Sequence, residues 1–203
     1  MFTDTEEIRL RRELNEEFDM SNATTIPGYK AGNWTIDATH SEVGFSIRHM
    51  MVSKVRGKFA SFGGEFVTGV SPLDSKVTAT VELSSIDTGN ADRDGHVKSA
   101  DFFDTESHHQ MTFVSTGVRA KGNDFVLDGQ LTLKNITKPV SLDLELGGFG
   151  PDAFGGYRAG FTATGEILRT EFNVNFNAAL ETGGVIVADK VQLQLEIEAV
   201  LNA

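Results

Sequence analysis

The segment Val191–Leu201 has the sequence VQLQLEIEAVL, in which apolar residues at the odd positions alternate with Gln and Glu at positions 192 to 198. Successive side chains of a β-strand point to opposite faces, so this pattern predicts a strand with one apolar and one polar face. A strand that is covered on both faces would be apolar throughout, whereas alternation is typical of an antiparallel sheet with water on one side. We therefore expect this segment to belong to a sheet that buries a single face.

The same alternation recurs through most of the chain. It is present in residues 43–49, 77–83, 125–133, 140–146, 161–167 and 172–177. Such a sheet must bury its apolar face either by closing on itself or by packing against a second sheet. The sequence therefore predicts an all-β protein and leaves both arrangements open.

One predicted strand changes the parity of its apolar positions. In residues 59–66, Phe59 is at an odd position, whereas Phe62 and Phe66 are at even positions. Gly63 and Gly64 lie in the same stretch, and we expect a β-bulge there, which would also bend the strand.

A different pattern separates two of the predicted strands. Residues 88–104, TGNADRDGHVKSADFFD, show no alternation, and the segment is longer than an ordinary hairpin loop. We predict a helical excursion near residues 91–103, with the helix itself over residues 91–99 and a turn after it. An excursion of this length acts either as a lid or as a plug.

The start of the chain differs in composition from the rest. Residues 1–20 contain seven Asp or Glu and three Arg. Apolar residues spaced three or four apart predict a short amphipathic helix over residues 5–18, with a linker after it. We therefore divide the chain into an acidic N-terminal helix and linker, residues 1–31, and a β domain, residues 32–203. The helix packs on the β domain or on a partner subunit, or the segment is a frayed acidic tail.

Composition disfavours several classes of function. The chain has 18 Lys and Arg against 29 Asp and Glu, a net charge of −11, which makes it a poor binder of nucleic acids and of anionic membrane surfaces. The absence of Cys excludes disulfides, Cys-ligated metals and cysteine nucleophiles. No apolar run is long enough to span a membrane as a helix, and the first 30 residues lack the apolar centre of a signal peptide. We expect a cytoplasmic protein with no transmembrane segment and no nucleic-acid partner.

Small residues recur on the predicted inner face of the strands. They are Ala79, Gly129, Ala163, Gly165 and Ala199. Side chains just fill the interior of a barrel of about eight strands, so small residues there leave room for one ligand. Alternatively, they only make space for bulky Phe side chains from across the barrel.

The sequence predicts no catalytic residue and no metal site. The five His residues lack a metal-binding spacing. Arg93, Asp94 and His96 are close in sequence to Ser99, but the chain has no G-x-S-x-G nucleophile motif. The simplest interpretation of this cluster is an Arg–Asp ion pair that holds the excursion in place. His49 continues an apolar face and is either a core or rim residue or a contact to a ligand headgroup.

Several stretches, taken in order, resemble the YceI-like family. They are GNWTIDATHSEVGFSIRHMMVSKVRGKFASFGGEF at 32–66, SSIDTGNADRDGHVKSADFFD at 84–104, MTF at 111–113, GQLTLKNITKPVSLDL at 129–144 and ADKVQLQLEIEA at 188–199. Two positions depart from the family pattern, because His109 replaces a Pro and Asn173 replaces a Gly. Asn tolerates a positive φ, so we expect Asn173 to keep a tight turn.

The resemblance, over residues 32–201, implies an extended antiparallel lipocalin-like β-barrel of about eight strands that holds a long apolar chain. It implies non-enzymatic binding, storage or transport of a polyisoprenoid or isoprenoid quinone, with the bound lipid as ligand and no required cofactor. The candidate ligand-binding residues are Trp34, Val43, Phe45, Ile47, His49, Phe59, Phe102, Phe103, Phe113, Phe125 and Leu131. The polar signature of the family corresponds to His40, Arg93, Asp94 and His96, which line the pocket mouth or fix the excursion.

Three alternatives stay open. The ligand is a fatty acid or a fatty amide rather than an isoprenoid. The protein is an enzyme that acts on a lipid-like substrate through Arg93, Asp94 and His96. Or it is an interaction protein with an incidental cavity, in which the N-terminal helix forms a homodimer contact.

Overall fold

Eleven β-strands and one α-helix form the part of the protein that the structure, a computed structural model, describes, namely residues 26–50, 52–178 and 186–202. The helix predicted over residues 5–18 lies outside these residues. The strands are β1 Gly32–Ile36, β2 Glu42–His49, β3 Ser53–Phe59, β4 Phe62–Thr68, β5 Lys76–Glu82, β6 Ile86–Asp87, β7 Gln110–Lys121, β8 Asp124–Leu133, β9 Ile136–Pro151, β10 Tyr157–Leu168 and β11 Val187–Leu201, and the helix is α1 Ala91–Lys98. Across these ranges, no helix has the length and apolar character needed to cross a bilayer.

The strands form one closed antiparallel sheet. Its order is β1-β4-β5-β7-β8-β9-β10-β11, and the pairing of β1 with β11 closes the ring. β2, β3 and β6 extend the same sheet from β11. The result is an eight-stranded antiparallel barrel, which confirms the predicted all-β, lipocalin-like fold and excludes a pair of packed sheets.

At three places around the barrel wall, two consecutive strands lie end to end and together act as one wall strand. β11 pairs with β1 through residues 199–201 and with β2 through residues 187–196, so β1 and β2 are one long strand interrupted at residues 37–41. β3 and β4 share the next position, and β5 and β6 share the third. One end of the barrel, called here the closed end, has β1, β4 and β5 in the ring. The other end, called the helix end, contains β2, β3 and β6. In the described structure β6 does not pair with β7, and α1 follows β6 in the chain.

The parity change near Gly63 and Gly64 has a different cause from the predicted bulge. β3 ends at Phe59 and β4 begins at Phe62, so residues 60–61 separate two regular strands. The register of β4 with β5 continues through both Gly residues without a shift. The prediction of a bulge was therefore wrong, and the break between the two strands moves the apolar side chains to the other parity.

The strand predicted over residues 172–177 is also absent from the described structure. A 3₁₀ turn spans Arg169–Phe172, and residues 174–178 have no regular secondary structure. Asn173 ends the turn with φ 56° and ψ 30°, which confirms the tight turn expected from an Asn at this position.

The predicted helical excursion is confirmed, and it acts as a plug. The side chain of Asn90 caps α1 by accepting a hydrogen bond from the backbone N–H of Arg93 at 2.9 Å. The turn after the helix places Phe102 in the core, where Val97 and Phe103 pack beside it. Because these apolar side chains lie inside the barrel, the segment fills the helix end rather than covering it from outside.

A separate apolar cluster fills the closed end of the barrel. It consists of Trp34, Phe66, Ala159 and Ala199, and Trp34 is completely buried. The indole ring stacks on Phe66 with the ring centroids 5.7 Å apart, and its Nε1–H donates to Oγ1 of Thr68 at 2.8 Å. The small size of Ala159 and Ala199 therefore provides room for Trp34 and not for a ligand.

The other small inward residues divide between the two explanations considered above. A Cβ atom added to Gly129 would lie 2.2 Å from Cζ of Phe113, so this Gly accommodates an aromatic ring. Gly165 is likewise covered by the side chain of a neighbouring strand. Ala79 and Ala163, by contrast, lie in the wall of an internal cavity. Small residues thus create space for a ligand at some positions and space for a neighbouring side chain at others.

Candidate ligand-binding site

A cavity of about 620 Å³ occupies the barrel interior. It reaches from Ile26 and Tyr29, near the closed end, to Ile186 at the helix end. This volume is within the range of small-molecule sites, roughly 300 to 1,000 Å³. Its wall consists almost entirely of apolar side chains, so the space suits a long apolar molecule.

The structure places most of the candidate ligand-binding residues in the wall of this cavity. The wall contains Val43, Phe45, Ile47, His49, Phe59, Phe102, Phe103, Phe113, Phe125 and Leu131. Trp34 is the exception, because it is enclosed in the closed-end cluster and does not line the cavity. The contact of the other residues with a ligand stays a prediction.

The candidate residues omit much of the opposite side of the barrel. β9, β10 and β11 also line the cavity, through Leu142, Leu144, Phe161, Ile167, Leu193, Leu195 and Ile197. The alternating pattern marks all of these positions as inward, so the sequence contains the signal that would have found them. It does not separate inward residues that line a cavity from inward residues that fill the core.

Charged side chains in the cavity wall gather at the helix end. The polar lining residues at this end include Arg48, His49, Thr88, Asp92, Arg93, His96 and Arg169. Near the closed end, the polar lining residues are the uncharged Tyr29, Thr68 and Ser75. A ligand with one polar end would therefore find charged hydrogen-bonding partners at the helix end.

Arg93 and Asp94 both bind Thr88 rather than each other. Nε and Nη2 of Arg93 donate to Oγ1 and to the backbone oxygen of Thr88 at 2.7 and 2.8 Å. Oδ1 of Asp94 accepts from the backbone N–H of Thr88 at 3.0 Å and from its hydroxyl group. The predicted Arg–Asp ion pair was therefore wrong, although both residues do fix the excursion. Arg93 lines the cavity, whereas Asp94 does not.

His96 lines the helix end of the cavity and has an acidic partner. Its Nε2 is 2.9 Å from Oδ2 of Asp101, and its ring packs edge-on against Phe102 and Phe176. The hydroxyl of Ser99 donates to the backbone oxygen of His96, at 2.7 Å, instead of to the imidazole ring. The Ser–His contact that a hydrolytic triad requires is thus not formed.

Arg169 is a buried cation in the cavity wall that the sequence candidates did not include. Only 5% of the residue is exposed, and its guanidinium donates to the backbone oxygens of Val174, Val187 and Ala188. Burial lowers the pKa of Arg169, and the nearby charge of Asp189 opposes that effect. A guanidinium has five N–H donors, so these three bonds leave donors for a further acceptor.

His40 lies at neither the pocket mouth nor the excursion. Its Nδ1 is 2.8 Å from Oδ2 of Asp37, in the break between β1 and β2. Arg158 on β10 donates to the same Asp37 oxygen at 2.8 Å, and also to Glu198 on β11 and to Asp152. Atoms of Asp37, His40 and Glu198 lie within 4.8 Å of one another, but the guanidinium of Arg158 already forms ion pairs with both carboxylates. We therefore assign the group a structural role that ties three strands together.

The Asp37 carboxylate makes the stability of the barrel depend on pH. Hydrogen bonds from Arg158, and then from His40, hold the pKa of Asp37 well below its usual range near 4. The stabilisation is therefore complete above that usual pKa and is lost as the pH falls toward the lower pKa of the folded state. We expect Asp37→Asn to lower the free energy of unfolding at pH 7, and the difference from the parent protein to shrink as the pH falls below about 4.

Urea unfolding followed by circular dichroism at several pH values measures this effect. Asp124→Asn is the matched control, because Asp124 is an exposed carboxylate with no side-chain partner in the residues that the structure describes. A difference between parent and Asp37→Asn that stays constant from neutral to acid pH would contradict the assignment.

Comparisons with known proteins agree with this architecture. A model of the YceI-like domain matches residues 34–199. Protein YceI of Escherichia coli is 40% identical over 168 residues, which cover 80% of this chain and 88% of that protein. The crystal structure of BcnA from Burkholderia cenocepacia has a TM-score of 0.70 at 25% identity and covers 80% of this chain and 98% of its own.

A further solved structure, a polyisoprenoid binding domain from Saccharophagus degradans, has a TM-score of 0.63 at 15% identity and covers 83% of this chain and 98% of its own. At that level of identity, the match shows a shared fold. The family model spans the whole barrel from Trp34 to Ala199, and the Escherichia coli relative is similar over most of its length. This chain therefore belongs to the YceI-like family.

Proposed function

We propose that this protein binds, stores or transports one long-chain apolar lipid, of the polyisoprenoid or isoprenoid quinone type, without changing it chemically. The observation that carries the proposal is the cavity of about 620 Å³, whose wall is apolar almost from one end of the barrel to the other. The shared fold with a domain described as polyisoprenoid binding supports the choice of lipid.

The energetics of such a site depend on the length of the apolar chain. Each buried methylene contributes about 0.8 kcal/mol, so about ten methylenes contribute roughly 8 kcal/mol before the loss of ligand freedom is subtracted. A long chain thus binds without a strong polar contact, and the polar residues at the helix end select among headgroups.

The polar residues near the cavity support a role in binding rather than in catalysis. Arg93 and Asp94 are used to hold Thr88, and Ser99 does not contact the ring of His96. Among the described residues near the cavity, His96 and Asp101 most resemble an acid–base pair, and the His96 side chain is 45% exposed. An enzyme that used this pair would require His96 for turnover, whereas a carrier would not.

Arg169 favours a second candidate ligand, a long-chain fatty acid or fatty amide. Its buried guanidinium keeps N–H donors that no other described residue occupies, next to an apolar space. A carboxylate or an amide oxygen accepts hydrogen bonds from a guanidinium well, and a carboxylate would also compensate its charge. The two candidates share the apolar chain and differ in the headgroup.

We expect native mass spectrometry of the purified full-length chain to show a long-chain lipid, and solvent extraction followed by added isoprenoid quinone to restore a one-to-one complex. Preferential uptake of a fatty acid or fatty amide would favour the second candidate. His96→Ala should take up the same ligand, and the ligand extracted after incubation should have an unchanged mass. Absence of any copurified lipid, together with no uptake of added quinone, amide or acid, would falsify the proposal.

A further inference from the structure

We infer that the β2–β3 hairpin docks this protein on an anionic phospholipid bilayer, with the apolar tip of the hairpin entering the membrane interface. The inference goes beyond the proposed function, because it concerns the surface from which a lipid would enter or leave. It rests on the charge pattern of the hairpin, the exposure of its tip and its position at the helix end of the cavity.

The outer face of the hairpin carries a row of cations, which we call the basic row: Arg48, Lys54 and Arg56. All three are exposed. Ile47, His49 and Val55 on the same strands line the cavity, which Arg48 also borders, whereas Lys54 and Arg56 do not. In the described residues, none of the three forms a salt bridge or a side-chain hydrogen bond, whereas Lys58 further along β3 pairs with Glu42.

The basic row is unfavourable in the free protein. Arg48 and Lys54 are direct cross-strand partners, and Arg56 is two residues further along β3. Like charges directly opposite one another destabilise a sheet. Three cations side by side, without a partner among the described residues of a chain with a net charge of −11, therefore form a local site for negative charge that the average composition conceals.

The tip of the hairpin exposes apolar side chains next to the basic row. Val52 is 86% exposed and Met50 is 45% exposed. Apolar side chains flanked by Lys and Arg are the combination that binds at the interface of an anionic bilayer, where each cation near the surface contributes about 1 kcal/mol. Cations alone would also protect the edge of β3 from pairing with another sheet, but that role does not need an apolar tip.

The position of the hairpin connects docking with the cavity. Arg48 and His49 line the cavity at the helix end, and the backbone N–H of Met50 donates to the oxygen of Ile186, which lines it too. At this end the barrel wall is completed by the α1 segment rather than by a paired strand. A membrane that contacts the hairpin tip would therefore lie beside the helix end, where the charged lining residues of the cavity are gathered.

Flotation of the full-length chain with vesicles tests the inference. We expect binding to vesicles of phosphatidylglycerol and phosphatidylcholine in equal amounts, weaker binding as salt is raised, and little binding to phosphatidylcholine alone. Lys54→Glu with Arg56→Glu should weaken binding about tenfold or more. The matched control is Lys76→Glu with Lys121→Glu, which changes the net charge equally on exposed residues at the closed end and should change binding less than about twofold.

The apolar tip is tested in the same way. Met50→Asn with Val52→Ser should weaken vesicle binding, and Asn keeps the positive φ that Met50 adopts. Phe154→Ser removes an exposed apolar side chain that lies on the β9–β10 turn and should have no effect. Absence of vesicle binding by the parent protein, or an equal loss in the closed-end control, would overturn the inference. Vesicle binding is scored without following any cargo, so a negative result would leave the proposed lipid ligand untouched.

Discussion

Replacing Ala79 by Phe is expected to abolish uptake of a long-chain lipid while the barrel stays folded. Ala79 lies on β5 between Gly64 of β4 and Phe113 of β7 in the pairing register, and it lines the cavity. The space over Gly64 is already covered by Ile36, whose Cδ1 would lie 3.0 Å from a Cβ atom added to that Gly, and the ring of Phe113 covers Gly129. The new phenyl group would therefore project into the cavity.

The size of the effect follows from the burial of the ligand chain. A phenyl group that displaced about five methylenes from the cavity would remove about 4 kcal/mol of binding free energy. That loss corresponds to roughly a thousandfold weaker binding. Native mass spectrometry after addition of isoprenoid quinone measures the occupied fraction, and thermal unfolding followed by circular dichroism shows whether the variant is folded.

Thr78→Phe is the matched control for Ala79→Phe. Thr78 is the preceding residue on β5, it is exposed, and its side chain points to the other face of the strand. We expect this variant to bind lipid like the parent protein. Full occupancy in Ala79→Phe, or equal losses in both variants, would show that the lipid does not use the barrel interior near β5.

Trp34→Ala is expected to produce the largest loss of stability of any single substitution considered, with little direct effect on ligand contacts. The side chain is fully buried, stacks on Phe66 and donates a hydrogen bond to Thr68. Truncation of a buried Trp typically costs about 3 to 5 kcal/mol, because the lost burial adds to the cavity that remains. Urea unfolding must be followed by circular dichroism, because Trp34 is the only Trp in the chain.

Trp34→Phe separates the contribution of packing from that of the hydrogen bond. The Oγ1 atom of Thr68 also donates to the backbone oxygen of Lys30, at 2.7 Å, so it keeps one partner when the indole N–H is removed. We therefore expect Trp34→Phe to lose much less stability than Trp34→Ala, and the folded Trp34→Phe variant to retain lipid uptake. Loss of uptake in a stable Trp34→Phe protein would indicate that Trp34 contacts the ligand after all.

The alternation of apolar and polar residues predicted nearly all of the wall, because the direction of a side chain in a strand is a local property of the backbone. It identified β5, β8, β9, β10 and β11 as one-sided strands, and the excursion stood out because the alternation stops there. It misjudged residues 172–177, where Val174 and Phe176 line the cavity from an irregular segment. A period of two shows which side chains face inward only if the backbone is extended.

The polar contacts near the site could not be predicted in the same way. Arg93 and Asp94 are adjacent in sequence, yet both bind Thr88, because the N-terminal turn of α1 packs against the end of β6. Arg158 joins Asp37 across 121 residues of sequence. Arg169 looks like an ordinary charged residue after a strand, and only the approach of three backbone oxygens makes its burial feasible.

The sequence by itself therefore determined the all-β class, the inward faces, the helical excursion and, through ordered motifs, the resemblance to the YceI-like family. The tertiary structure decided which inward residues border empty space, as at Ala79, and which are filled by a neighbour, as at Gly129 or around Trp34. It also decided that an acidic chain presents a basic row beside the helix end of its cavity. The reason is that strand periodicity depends on adjacent residues, whereas a cavity is the volume left over by side chains that are far apart in sequence and meet only when the barrel closes.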